Sequence, residues 1–74
     1  MKMIAESSGP PKRHYEIVSL EMRNGDHTLE WFSVRAYDGE NRVDEFLQHT
    51  LSYAQERAEA KYGVPRSAWR KVEE

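Results

Sequence analysis

The residues of this chain with any capacity for chemistry are three histidines and thirteen carboxylates. His14 and His27 fall at the starts of two predicted strands, toward opposite ends of a hairpin, and His49 lies beside the apolar stripe of a predicted helix. A metal ion needs several ligands converging on one point, which this spacing does not provide. The pairs Asp44-Glu45 and Glu56/Glu59 have the composition of an acid/base couple, but such a couple needs a pocket that separates its two pKa values. A chain of 74 residues offers little concavity. Glu56, Arg57, Glu59 and Lys61 interleave as a solvated helix face does. Cysteine is absent, and no serine occupies a Gly-x-Ser-x-Gly turn. Gly9, Gly25, Gly39 and Gly63 are isolated, so no loop cradles a phosphate. The expectation is a protein with no catalytic residue, no metal site and no cofactor.

Charge narrows the partners. The formal net charge is −2, with basic residues dispersed along the chain, whereas phosphate affinity needs a concentrated Lys/Arg face. Lys12-Arg13-His14-Tyr15 and the run Arg66 to Lys71 around Trp69 could stack on bases, yet Glu16, Glu21 and Glu30 set negative charge on the same hairpin. Direct nucleic-acid binding is therefore not expected. Trp, Tyr and Arg also dominate protein-binding hot spots. The expected partner-binding set is Met3, Ile4, Lys12, Arg13, Tyr15, Ile17, Trp31 and Trp69. Met1 to Arg13 has no continuous apolar region of a secretory signal, and no apolar run reaches membrane-spanning length. A cytoplasmic, monomeric protein with no membrane partner is expected.

The elements that would position these residues form one small domain. Residues 1–13 read as a flexible arm, because Ser7, Ser8, Gly9, Pro10 and Pro11 form a linker-like cluster before Lys12-Arg13. Residues 14–74 read as a single ββα domain of the α+β class. His14 to Arg23 and Thr28 to Tyr37 are rich in β-branched and aromatic residues, and Asn24-Gly25 between them marks a hairpin. With a three-residue loop, Val18, Leu20 and Met22 share a face with Phe32, Val34 and Ala36, and Tyr15, Ile17, Leu29, Trp31 and Tyr37 share the other. A two-residue loop exchanges the partners and still leaves apolar side chains on both faces. One long amphipathic helix is predicted over Asn41 to Tyr62, from the spacing of Val43, Phe46, Leu47, Leu51, Ala54, Ala58 and Tyr62. Asp38 or Asn41 would cap its start, and Gly63 followed by Pro65 would end it. Ser67 is placed to cap a short helical turn over Ala68 to Lys71, the alternative being a third, edge strand at Trp69 to Glu73. A helix covers only one face of a ribbon, so something else must cover the second.

The chain length, the arm Ser7 to Arg13, the Asn24-Gly25 hairpin and the Tyr62-Gly63-Val64-Pro65 helix stop resemble the small RNA-polymerase-binding regulators of Xanthomonas phages. That resemblance implies a host-takeover protein without catalytic activity, which works in the cytoplasm of the host cell. Its partner would be the largest catalytic subunit of the host RNA polymerase, met near the N-terminus. It would inhibit transcription initiation and suppress termination. Two further readings stand beside it. An inhibitor of a bacterial defence nuclease calls for a strongly acidic surface, against which the near-neutral charge counts. A small homodimeric structural protein would use the uncovered hairpin face to pair with itself.

Overall fold

The computed structural model describes residues 1–7 and 12–72. The chain has the expected α+β class, built on a five-stranded antiparallel sheet rather than on a hairpin alone. The strands are β1 (Lys2–Glu6), β2 (Arg13–Asn24), β3 (His27–Asp38), β4 (Asn41–Gln48) and β5 (Arg70–Val72). They lie side by side in the order β4-β3-β2-β1-β5. A helix, α1 (Leu51–Tyr62), crosses one face, and a single 3₁₀ turn at Arg66–Ala68 leads into β5.

Both long hairpins are closed by two-residue loops. Asn24 pairs with His27 and Asp38 with Asn41, which leaves Gly25-Asp26 and Gly39-Glu40 as the loop residues. Gly25 and Gly39 have φ of +64° and +63°, and no other residue type among those described takes a positive φ. Glycine at the first loop position is what the twist of tightly paired antiparallel strands requires. Of the two registers compatible with the sequence, the two-residue loop therefore decides which side chains share a face.

The second turn overturns the long helix. Asp38-Gly39 reverses the chain, so residues 41–48 return as β4 instead of starting a helix. Val43, Phe46 and Leu47 fit a helical stripe only if Leu51 onward continues it. In the fold the chain bends after Gln48, and α1 has 12 residues. Its N-cap is Thr50, whose hydroxyl accepts the Tyr53 N–H at 3.1 Å, in place of Asp38 or Asn41. Its end is as expected, with Gly63 in the left-handed conformation donating its N–H to the Glu59 carbonyl at 2.9 Å.

The predicted arm is also corrected at its start. Lys2–Glu6 pairs with the first half of β2, from Lys2↔Val18 to Glu6↔His14, and on its other side with β5. Alternating Met3 and Ala5 against the core explains why this segment is a strand and not a tether. Ser8 to Pro11, the centre of the predicted linker, lies outside the described residues. At the other end the edge strand forms, as Arg70–Val72, and the helical turn is displaced from Ala68 to Lys71. It is a 3₁₀ turn over Arg66–Ala68 that begins after Pro65, with no side-chain cap and Ser67 inside it.

The core lies between the sheet and α1. Ala5, Tyr15, Ile17, Phe32, Val34 and Ala36 come from the sheet, Ala54 and Ala58 from the helix, and Val64 and Trp69 from the segment beyond it. Ala54 and Ala58 are fully buried, and with no side chain beyond Cβ they allow the helix to lie close to Ile17 and Val34. Truncating Ile17 to its Cβ leaves a cavity that this thin core cannot collapse to fill. Ile17→Ala is expected to cost about 2–5 kcal/mol in urea unfolding. A loss below about 1 kcal/mol would show that Ile17 is not a core residue.

Candidate binding face

The register divides the sheet side chains into two sets. Toward α1 point Met3, Ala5, Tyr15, Ile17, Phe32, Val34, Ala36, Asp44 and Phe46, which alternate along the strands with the residues of the other face. The opposite face bears no second layer among the described residues. Across its far end, on β3 and β2, Leu29 stands opposite Met22, and Trp31 opposite Leu20. The next row runs Leu47, Ser33, Val18, Lys2, Val72 from β4 to β5. Then come Glu45, Arg35, Glu16, Ile4, Arg70, and last Arg42, Tyr37, His14, Glu6. The face is thus apolar where β2 and β3 project and charged at the other end. Met22, Leu29 and Leu47 are 46%, 49% and 45% exposed.

The charged end is internally paired. Glu45 Oε2 accepts from Ser33 Oγ at 2.7 Å and Arg35 Nε at 2.9 Å, with Arg42 Nη1 at 3.6 Å. Arg42 reaches this face because the register shifts between Ala36 and Tyr37, leaving Val43 as an extra residue. A bulge re-aims the side chains beyond it. Hydrogen bonds from Ser33 and Arg35 hold the Glu45 carboxyl below its ordinary value, and Glu45 in turn raises the Arg35 guanidinium. Burial raises Glu16, but the His14 ring 2.8 Å away and Lys2 at 3.5 Å outweigh it, and its pKa is lowered. Glu6 and Arg70 lie 3.7 Å apart. At the apolar end, the Trp31 ring packs against that of His49, with centroids 4.0 Å apart and planes tilted by 40°.

The expected partner-binding residues do not come together. Ile4 and Trp31 are half-buried on the open face, and Lys12 and Arg13 border β2 at its start. Tyr15, Ile17 and Trp69 are buried in the core and offer no surface, and Met3, partly buried, packs against that core on the α1 side. The two-residue loop is the reason for Tyr15 and Ile17, since it pairs them with Ala36 and Val34. The residues missed are Val18, Leu20, Met22, Leu29 and Leu47. Asp38-Gly39 is a hairpin signal of the same kind as Asn24-Gly25 and bears on Leu47, although Val43, Phe46 and Leu47 fit a helical period as well.

The three histidines are separate, and no group of three His, Asp or Glu could hold a metal among the described residues. A hollow of about 470 Å³ lined by Glu6, Ser7, Lys12, Arg13, His14 and Gly39 opens to solvent beside the β1–β2 connection. In it the Ser7 hydroxyl accepts the Arg13 N–H at 2.8 Å. No described helix is long and apolar enough to cross a membrane. No family model, curated protein or solved structure matches the chain.

On the covered side, a clamp joins the helix to the sheet. Tyr62 Oη donates to Asp44 Oδ2 at 2.5 Å, and Lys61 Nζ lies 2.6 Å from the same oxygen. The end of α1 is thereby tied to β4. Lys61 first, then Tyr62, lower the Asp44 pKa from 3.8 to about 2. Burial and the adjacent carboxylate raise that of Tyr62. Because the folded Asp44 value is depressed, the contribution is complete above about pH 4 and lost as pH falls toward 2. Asp44→Asn is expected to lower Tm at pH 6 and to converge on the parent chain by about pH 2. A difference in Tm that persists unchanged down to that pH would rule the clamp out.

Proposed function

We propose that this chain is a non-catalytic protein-binding module that meets its partner through the open face of the sheet. The single observation carrying this reading is that a five-stranded sheet has one face under α1 and the other without a second layer among the described residues. Apolar side chains contiguous over a sheet face are costly to leave in water and mark interaction sites. Trp31 and Leu20 lie within the apolar part of that surface, between Leu29 and Met22 on one side and Leu47 and Val18 on the other, with the charged rows beyond. This is the distribution of an interface with an aromatic anchor and a polar rim.

The partner we infer is bacterial RNA polymerase, through the N-terminal region of its largest catalytic subunit. What supports this choice is the resemblance to phage polymerase-binding regulators carried by Ser7–Arg13, Asn24-Gly25 and Tyr62–Pro65. One copy would dock as a wedge, inhibiting initiation and suppressing termination by occupying or displacing polymerase elements. The chain would act in the cytoplasm of the host cell and need no catalytic group of its own. Lys12 lies beside the charged end and would extend the contact, whereas the register puts Arg13 on the α1 side. A defence nuclease fits less well, because the ion pairs on the face leave little net charge with which to mimic DNA.

Affinity capture from bacterial lysate with the tagged chain tests the reading, and recovery of the largest polymerase subunit is expected. Trp31→Ala is expected to weaken that capture by about 2 kcal/mol, close to 30-fold, with an unchanged circular dichroism spectrum. Recovery of a nuclease effector in place of polymerase, or undiminished polymerase binding by Trp31→Ala, would overturn the proposal.

A further inference from the structure

We infer that, in the absence of another partner, a second copy of this chain covers the open face, forming a two-fold sheet-on-sheet dimer. The inference does not depend on the identity of any partner, because it rests on how the face matches itself. A two-fold axis running along the strands, midway between β2 and β3, lays each β3 residue over the β2 residue of the same cross-strand pair in the other copy. β4 likewise lies over β1 of the other copy. The register then brings Leu29 over Met22 and Trp31 over Leu20, apolar on apolar, twice each. At the charged end it brings Arg35 over Glu16 and Arg42 over Glu6, each basic group over an acidic one. Leu47 falls over Lys2 and Glu45 over Ile4, so no like charges meet in these rows. Aligned sheets cross at about 30°, so the match is closest near the axis, where the apolar pairs and Arg35–Glu16 lie.

Alternative two-folds match less well. With the axis across the strands at mid-sheet, the exposed Leu29 and Met22 of one copy would cover the charged rows of the other; with that axis at the Trp31 row, the overlap shrinks to the projecting end of β2 and β3. Edge-to-edge pairing through β4 is discouraged by the bulge at Val43 and the charged residues Arg42, Asp44 and Glu45. Within the chain Arg35 and Arg42 share one carboxylate, Glu45, so Glu16 and Glu6 of the other copy add acceptors where the basic groups are in excess.

The test uses the full chain. Light scattering at micromolar to hundred-micromolar concentration is expected to give twice the 8.7 kDa chain mass. Leu29→Glu, at a position already half exposed beyond the helix-covered body, is expected to reduce it to the single mass with an unchanged circular dichroism spectrum. Because the chain has no cysteine, one introduced thiol reports geometry directly. Leu29→Cys near the axis is expected to cross-link to dimer with a short bis-maleimide. Tyr53→Cys, on the outer surface of α1 where Tyr53 is 55% exposed, is expected not to. A single-chain mass throughout the range, a dimer unaffected by Leu29→Glu, or equal cross-linking at both positions would each overturn the inference. These readouts use the purified chain alone, whereas polymerase capture is measured from lysate, so either reading can fail without the other.

Discussion

The helix can lie against the sheet at only one place, and everything else in the molecule follows from that contact. Ala54 and Ala58 bring α1 down onto Ile17 and Val34, all four fully buried. Twelve residues of helix cannot cover more than part of one face, and a short isolated helix has little stability of its own. The flanking residues are recruited to widen the core. Trp69, Val64 and Tyr62 fill the space beyond the helix, with the Tyr15 and Tyr62 rings 5.1 Å apart. The Asp44–Tyr62–Lys61 cluster then fixes the helix end to β4 from the rim.

Because the hydrophobic contacts are gathered on one side, the sheet holds the opposite face in place without another layer. That face is stabilised by local means. Ser33, fully buried although it points away from α1, donates to Glu45, and Arg35 bridges the same carboxylate. Such a network satisfies the charged rows, whereas the apolar rows have the Trp31–His49 contact and leave Met22, Leu29 and Leu47 about half exposed. Stability and binding are thus assigned to different faces of the same strands, alternating residue by residue along β2 and β3.

Edge strands complete the arrangement. β1 lies between β2 and β5, so the first residues of the chain and the last described ones hold each other. Lys2–Glu6 is a strand despite the linker-like composition that follows it, because Met3 and Ala5 alternate toward the core and β2 offers a free edge to pair with. On the other side, β4 ends the sheet with a bulge and a charged sequence, features that keep edges from pairing indiscriminately.

Local chemistry was sufficient for several elements. Asn24-Gly25 implied the first hairpin, the period of Leu51, Ala54, Ala58 and Tyr62 implied the helix, and Gly63-Val64-Pro65 implied its end. The α+β class followed from these. Two decisions were beyond the sequence pattern. Val43, Phe46 and Leu47 suit a strand as well as a helix, and only pairing with β3 after the Asp38-Gly39 turn made residues 41–48 a strand. Asn24-Gly25-Asp26 admits loops of two or three residues, and a one-residue change in register exchanges every side chain between faces. The choice was made by burial. One register lets Tyr15, Ile17, Phe32, Val34 and Ala36 share the side that α1 covers, and so sends Leu20, Met22, Leu29 and Trp31 to the side that it leaves open.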